Sequence, residues 1–394
     1  MNLLGESRKL YLPFRGLATL AALVLAFKYS KDLGVLNRSY IAMIMTSSIL
    51  CLTIFTSGTT LTLRAHKLSG LNAQLLSSFG SLILLQGFFG VLLYNISIFS
   101  FSFFKAEIPY QLLILSNLYF CCSFAHLVAL EALLASDQFK LAGKYEISTI
   151  VLQILFYTFG SFITHISIAS RLLLAISFSY LIIVMTMVLS KNLRIKSFKP
   201  SISPLHFFRL TKHNNSLGSV LGVTDRADRI LIAWLLPTLS LGQYSAMSGL
   251  ISFSRFIPDA ISKILISGKI KGQFQRFVNK TSLLIGFFVI ASVFVPISQW
   301  LIGYWLGTEW LLPWYISVLF IFQELGRGAF QVLQNHEIKH GNAKVSQRAS
   351  VILLSVSIVG SSLLALVIKL PGIQLGFILS YLIAMFYVRR KKIV

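Results

Sequence analysis

Asp225, Arg226, Asp228 and Arg229 place four charges within one short stretch, flanked by apolar sequence at 217–223 and 230–241. If such a stretch crosses a bilayer, each charge at its centre costs roughly 2.5–3.5 kcal/mol on insertion scales. Side chains of this kind must pair with one another or line a polar cavity, and they mark a functional site in an apolar span. At 100° per residue the four cover an arc of about 160°, a single broad face. Asp225 and Arg229 stand four residues apart in the acid-first order that favours an ion pair along one helix.

Two further apolar stretches carry the same kind of stripe. Ser252, Arg255, Asp259 and Lys263 repeat at three- and four-residue spacing, as do Glu324, Arg327, Gln331 and Gln334. Thr46, Thr53, Ser57 and Thr60 form a thinner hydroxyl stripe, a pattern typical of helix packing. The buried cations are Arg226, Arg229, Arg255, Lys263 and Arg327. The buried acids are Glu131, Asp225, Asp228, Asp259 and Glu324, so the interior is close to neutral. Several arginine forks nevertheless lie within apolar sequence, and arginine is the side chain best shaped to grip phosphate or carboxylate in two places. Two readings stay open: a shared hydrated interior, or ion pairs that fix helix packing. His126 and Glu131 lie five residues apart, on different faces of one helix. His126 either relays a proton or is hydrogen-bonded between helices.

His336-Glu337-Ile338-Lys339-His340 matches the HExxH pattern, in which two histidines one turn apart bind zinc and the glutamate acts as base. No acidic residue or histidine follows His340, so a third ligand would have to come from upstream. The expectation is a polar helix end, no metal and no cofactor. The chain holds no Gly-rich phosphate loop that would mark ATP hydrolysis. Cys51, Cys121 and Cys122 lie in apolar runs without ligand spacing, which argues against disulfides and structural zinc.

The elements that must position these residues follow from composition. Of 394 residues 56% are hydrophobic and 12% charged, against about 25% charged in a soluble domain. The chain reads as an all-α polytopic membrane protein. No cleavable leader is expected, because residues 1–10 are polar and the first apolar run is long enough to span. About twelve segments have the roughly 20-residue length a spanning helix needs: 12–33, 40–63, 71–98, 107–135, 146–168, 169–190, 215–240, 242–268, 279–303, 309–334, 345–368 and 371–388. The fifth and sixth are expected to share a short hinge at Ser170-Arg171. With both termini cytoplasmic, 23 of the 35 Lys and Arg fall on the cytoplasmic side and six on the outer side, as the positive-inside rule expects. The net charge of +23 is therefore an orientation signal, not a nucleic-acid footprint.

The basic segment 191–214 divides the spans six and six. It is read as a cytoplasmic linker whose amphipathic part lies on the anionic leaflet, between an N-terminal lobe, 1–190, and a C-terminal lobe, 215–394. Tyr40-Ile41-Ala42-Met43 and Tyr244-Ser245-Ala246-Met247 open equivalent spans of the two halves. With an even number of spans per half, this implies parallel repeats about an axis along the membrane normal.

From Asp228 to Ala246 the order is a mid-span Asp-Arg, an apolar run, a small turn and Gly242-Gln243-Tyr244-Ser245-Ala246. This resembles the opening of the second half in the polysaccharide-export branch of the multidrug/oligosaccharidyl-lipid/polysaccharide (MOP) superfamily. The family pattern there is Gly-x-Tyr-Ser-x-Ala, and this chain is one residue shorter. Gly34, Tyr40 and the run ending in Leu63-Arg64 resemble the first half more loosely. The resemblance implies two six-helix lobes in a MATE-like V around a central cavity, and a Wzx-like flippase rather than an enzyme. Its cargo would be a polyprenyl-pyrophosphate-linked repeat unit of O-antigen, capsule or exopolysaccharide in the bacterial cytoplasmic membrane, with a polymerase and glycosyltransferases as partners. Arg226, Arg229, Arg255, Arg327 and Lys263 would then meet pyrophosphate or acidic sugar. Asp225, Asp228, Asp259, Glu324, His126 and Glu131 would pair with them or carry a coupling cation. A cation-coupled drug exporter on the same fold is the nearest rival, and such a site should be acidic and aromatic with few arginines. An intramembrane zinc protease built on His336 and His340 is more distant.

The charge asymmetry makes a direct prediction about sidedness. Reporter fusions at Lys105 and Glu309 should both read as external, and a cytoplasmic signal at either would overturn the topology.

Overall fold

The computed structural model describes residues 6–66, 72–104, 108–135, 138–162, 165–190, 204–251, 282–339 and 343–390. All regular structure among them is helical. In chain order the helices are α1 (Glu6–His66), α2 (Asn72–Phe104), α3 (Tyr110–Ala135), α4 (Phe139–Gly160), α5 (Ile168–Leu189), α6 (Pro204–Leu235), α7 (Thr238–Ile251), α8 (Ser282–Trp305), α9 (Trp314–Lys339), α10 (Ala343–Ile368) and α11 (Leu370–Arg390). Arg255, Asp259 and Lys263, with Ser252, lie outside the described residues.

Six helical segments among the described residues are long and apolar enough to cross a membrane: Gly16–Thr56, Tyr110–Leu134, Ile168–Leu189, Trp314–Gln334, Lys344–Ile368 and Leu370–Arg390. The first has 41 residues and would run about 60 Å at 1.5 Å per residue, twice the hydrocarbon thickness. It is broken at Gly34, whose φ of 69° and ψ of 168° are non-helical. A side chain at that φ would be strained, so glycine is the residue that lets two helices meet there.

Three boundaries depart from expectation. The break between the fifth and sixth segments falls after Gly160 and before Ile168, not at Ser170-Arg171. Ser167 is the N-cap of α5: its Oγ accepts the Ser170 N–H at 3.2 Å and donates to Ser170 Oγ at 2.9 Å. A capping hydroxyl satisfies a donor that the first helical turn leaves open, so Arg171 lies inside the helix and its stem packs across Gly160. At the other end, α4 begins at Phe139 rather than near 146. Tertiary burial extends it, because Ala142 and Tyr145 join Ala129, Leu130, Leu133, Ile183 and Met187 in one apolar cluster, with Phe139 and Leu141 against it. Likewise α6 starts at Pro204, well inside the expected linker, with proline in the first turn where its missing N–H costs nothing.

The chain forms two compact units. One is built from Glu6–Ala22 with Met43–Val223, the other from Leu23–Ala42 with Thr224–Val394. In the second unit the segment around Gly34 is held by α7. Ser39 Oγ donates to the Thr238 carbonyl at 2.7 Å, and Gly242 packs so closely on Val35 O and Ser39 Oγ that a side chain there would collide with both. In the first unit, Asn95 of α2 and Asn117 of α3 exchange amide hydrogen bonds at 2.9 and 3.1 Å. Each amide gives its remaining hydrogen to a carbonyl of its own helix, Val91 O and Leu113 O. All four N–H groups are thereby used, which an exposed amide on an apolar helix requires.

α10 and α11 form a close hairpin. Gly372 lies against the backbone of Leu364 and Ala365, Gly376 against Ser361, and Ser361 Oγ donates to Ile373 O at 2.9 Å. Small residues at such a seam let backbones approach. Gly376→Ala should therefore destabilise the protein by about 1–3 kcal/mol through overpacking. Gly360→Ala, where nothing lies within 4 Å, should be neutral or slightly stabilising. Melting in detergent checks both, and equal effects would remove the seam as the cause.

Candidate functional site

α6 ends at Leu235 and α7 begins at Thr238, with Pro237 between them. Proline cannot continue the helix that precedes it, and the short turn makes the two helices antiparallel neighbours. Residues at similar distances from the turn come opposite one another. Asp228 of α6 thus faces Tyr244 of α7, 16 positions on, and the phenol donates to Asp228 Oδ2 at 2.7 Å. Arg229 reaches Ser248, 19 positions on, its Nη2 donating to Ser248 Oγ at 3.1 Å. α9 brings Gln323, whose Nε2 donates to the same Asp228 Oδ2 at 3.3 Å. The remaining oxygen, Oδ1, accepts the Arg229 backbone N–H at 2.8 Å.

Arg327 of α9 is the second node. Its Nη1 donates to Glu324 Oε1 at 2.9 Å, its Nε to Tyr381 Oη at 2.9 Å and its Nη2 to the Asp225 carbonyl at 3.3 Å. The Asp225 carboxylate lies 3.2 Å from Nε. Gly326 lets α11 come close enough: a Cβ there would sit 3.1 Å from that of Tyr381. Asp228 and Glu324 are each 2% exposed and Arg327 6%, whereas the Asp225 side chain is 41% exposed. A buried ion pair stays charged only when geometry and extra hydrogen bonds offset the loss of water, and Tyr381, Asp225 and Glu324 supply these around one guanidinium. Tyr244 is held in place by edge-on packing against Phe320, with ring centroids 5.2 Å apart.

Counted at 1.5 Å per residue from the end of the unit where α6 meets α7, Asp228 lies about 10 Å in, Gln323 about 14 Å and Tyr381 about 17 Å. If these helix ends mark the edge of a roughly 30 Å hydrocarbon layer, the network would sit near its middle.

The structure thus brings together Asp225, Asp228, Arg229, Glu324 and Arg327, with Arg226 half-buried on the same helix. The expected pair within α6 is replaced: Asp225 turns to Arg327 and Arg229 turns to Ser248. A partner on a neighbouring helix also ties that helix down, which a pair along one helix cannot do. Arg229 Nε and Gln323 Oε1 are buried with no hydrogen-bond partner among the described residues.

His126 lies in the other unit. Its Nε2 is 3.2 Å from Thr149 Oγ1, and its ring stacks on Tyr180 at 4.5 Å. Thr149 spends its own proton on the Tyr145 carbonyl at 2.8 Å, so His126 Nε2 is the donor, and the residue ties α3 to α4 and α5. Glu131 is half-buried on α3. Thr46 is buried, and Thr53 donates to its own helix at Ile49 O, 2.7 Å away. The side chain of His336, and all of His340, lie outside what the structure describes. Among the described residues no three His, Cys, Asp or Glu side chains gather as a metal site.

Sequence reasoning missed Gln323, Tyr244 and Tyr381 as members of the network. Gln323 is next to a striped residue, and Tyr244 stands in the repeat motif. Tyr381 leaves no local trace, because its role depends on how α11 is rotated against α9.

No family model matches the sequence, and no curated protein matches it. Solved structures do match along nearly the whole chain. The lipid II flippase MurJ, in an inward closed conformation, superposes with a TM-score of 0.74 at 16% identity over 98% of this chain and 87% of that one. An inward-facing multidrug resistance MATE family transporter of the MOP superfamily gives 0.66 at 12% identity, over 95% and 94%. The eukaryotic MATE transporter AtDTX14 gives 0.66 at 13%, over 98% and 96%. The likeness is one of fold: an all-helical integral membrane protein built like MurJ and the MATE transporters.

Arg327→Ala leaves Glu324 buried without its guanidinium and should cost about 3–5 kcal/mol. Arg327→Met combined with Glu324→Leu should be markedly less damaging than either change alone. Melting and yield of the three variants check this, and an unaltered Arg327→Ala protein would refute the network as a packing element.

Proposed function

We propose that the protein is a flippase for lipid-linked oligosaccharides in a bacterial cytoplasmic membrane, and not an enzyme. It would carry polyprenyl-pyrophosphate-linked repeat units of O-antigen, capsule or exopolysaccharide across by alternating access. Two six-helix lobes, 1–190 and 215–394, joined by the basic linker 191–214, would do this with both termini in the cytoplasm. A polysaccharide polymerase and glycosyltransferases would be its partners.

The observation that carries the reading is an arginine, packed among the helices of the C-terminal unit, with donor capacity left over. Arg327 is saturated by Glu324, Asp225 and Tyr381. Arg229 makes one side-chain hydrogen bond, to a neutral serine, and its Nε has none among the described residues. A diphosphate needs such a donor set, and a cationic drug is repelled by it. The fold of the lipid II flippase supports the same cargo class. Arg226, Arg255 and Lys263 complete the proposed contacts with the anionic headgroup. Asp225, Asp228, Asp259 and Glu324 poise those cations or carry the coupling ion, with His126 and Glu131 as candidates in the other half.

The second reading, a drug exporter, draws on the MATE transporters among the similar structures. One assay separates the two. Arg229→Ala should reduce surface glycan about tenfold or more, since charge-assisted hydrogen bonds contribute roughly 1.5–3 kcal/mol each. Arg229→Lys should retain part of the export, because it keeps charge but not the fork. Expression is measured in parallel. Normal expression with normal surface glycan in Arg229→Ala would remove the proposed mechanism. Loss of drug resistance with glycan unchanged would favour the exporter.

A further inference from the structure

The connection between α8 and α9 concentrates the tryptophans of this chain. Four of its five, Trp300, Trp305, Trp310 and Trp314, fall within fifteen positions. Trp310, in a single 3-10 turn at Thr308–Trp310, is 1% exposed. Around it Trp300, Tyr304 and Trp314 are 63%, 73% and 69% exposed, and Trp305 and Tyr315 are exposed as well. Trp300 and Tyr304 stack in parallel, with centroids 5.5 Å apart and planes at 8°.

The turn that presents them is rigid. Gln299 Nε2 donates to Leu312 O at 3.1 Å and Ser317 Oγ at 2.6 Å, bracing α8 against α9. Gln243 of α7 donates to Glu309 O at 2.7 Å. Gly307 adopts φ 111°, and the Glu309 carboxylate fills the place where its Cβ would be. Trp305 packs edge-on against Phe27, with centroids 6.3 Å apart.

Exposure along the hairpin runs through a gradient of polarity. The exposed face of α8 passes from Val293 and Ile297 to Trp300 and Tyr304, and α9 returns from Trp314 and Tyr315 to Phe322. Thr308 and Glu309 are exposed at the tip. Aliphatic, then aromatic, then polar is the order a chain meets on leaving hydrocarbon for headgroups and water, where Trp and Tyr rest with the ring in the apolar layer and the N–H or O–H in the wet one. The α6–α7 turn carries one exposed residue of this kind, Trp234, and the α10–α11 turn carries none.

We propose that the α8–α9 hairpin is an interfacial anchor, which seats in the phospholipid headgroup layer through Trp300, Tyr304, Trp305, Trp314 and Tyr315. Under the expected topology this is the outer leaflet. The anchor fixes the depth of the unit, and with it the depth at which Gln323 and Asp228 sit. It does not depend on what the protein transports.

The test uses the full chain, and a Trp300→Phe/Trp314→Phe variant of the same melting temperature, in phosphatidylcholine vesicles. A fraction of the lipid is brominated either close to the glycerol or close to the methyl ends. Quenching of tryptophan emission by shallow bromine should fall at least about twofold in the variant, with quenching by deep bromine unchanged, because the removed rings lie at the interface. Identical quenching of the two proteins in both lipids would overturn the anchor. So would finding that the lost emission is quenched by aqueous iodide instead, since the face would then stand in water, open to a saccharide or a protein.

Discussion

A charge in hydrocarbon must find its counter-charge and its hydrogen bonds within the protein, because no water is there to supply them. Much of the architecture of the C-terminal unit follows from satisfying Arg327. One guanidinium takes Glu324 from its own helix, Asp225 from α6 and Tyr381 from α11, and so fixes three helices with one side chain. The network continues through Asp228, whose carboxylate accepts from Tyr244, Gln323 and the Arg229 backbone. These bonds are directional where apolar packing in lipid is not, and they select one rotation of each helix about its axis.

Such bonds close only if the backbones come near, and small residues arrange that. Gly326 admits Tyr381, Gly372 and Gly376 seat α11 on α10, and Gly242 seats the Gly34 segment on α7. The two requirements support each other. Glycine brings the polar groups within reach, and the polar bonds hold together helices that gain little from burying apolar surface in an apolar solvent.

The sequence made the charged faces legible because a helix repeats every 3.6 residues and a charge in an apolar run stands out. Asp225, Asp228, Arg229, Glu324 and Arg327 were all visible this way. Which of them pair, and with what else, was not. Whether Asp225 serves Arg229 along its own helix or Arg327 across to α9 depends on the rotation of α6 against α9, which neither segment encodes alone. Tyr381 is one aromatic among many in an apolar helix, and only the packing of Gly326 gives it a role. Helix ends were blurred for a related reason. Phe139 and Pro204 begin their helices early because burial and turn chemistry extend them past the apolar span, and Ser167 caps α5 where hydropathy had placed only continued membrane.

The two arginines at the heart of the unit are not equivalent. Arg327 is surrounded by acceptors and cannot swing away from Glu324 without leaving that carboxylate, at 2% exposure, uncompensated. Among the described residues the Arg229 side chain donates only to Ser248, a neutral acceptor, whereas an anion would offer it opposite charge as well as lone pairs. A saturated arginine beside an unsaturated one makes a fixed frame with one adaptable donor. For the proposed cargo that division is useful. A pyrophosphate would have to be gripped and then released, and a donor that can return to Ser248 would have a partner to return to.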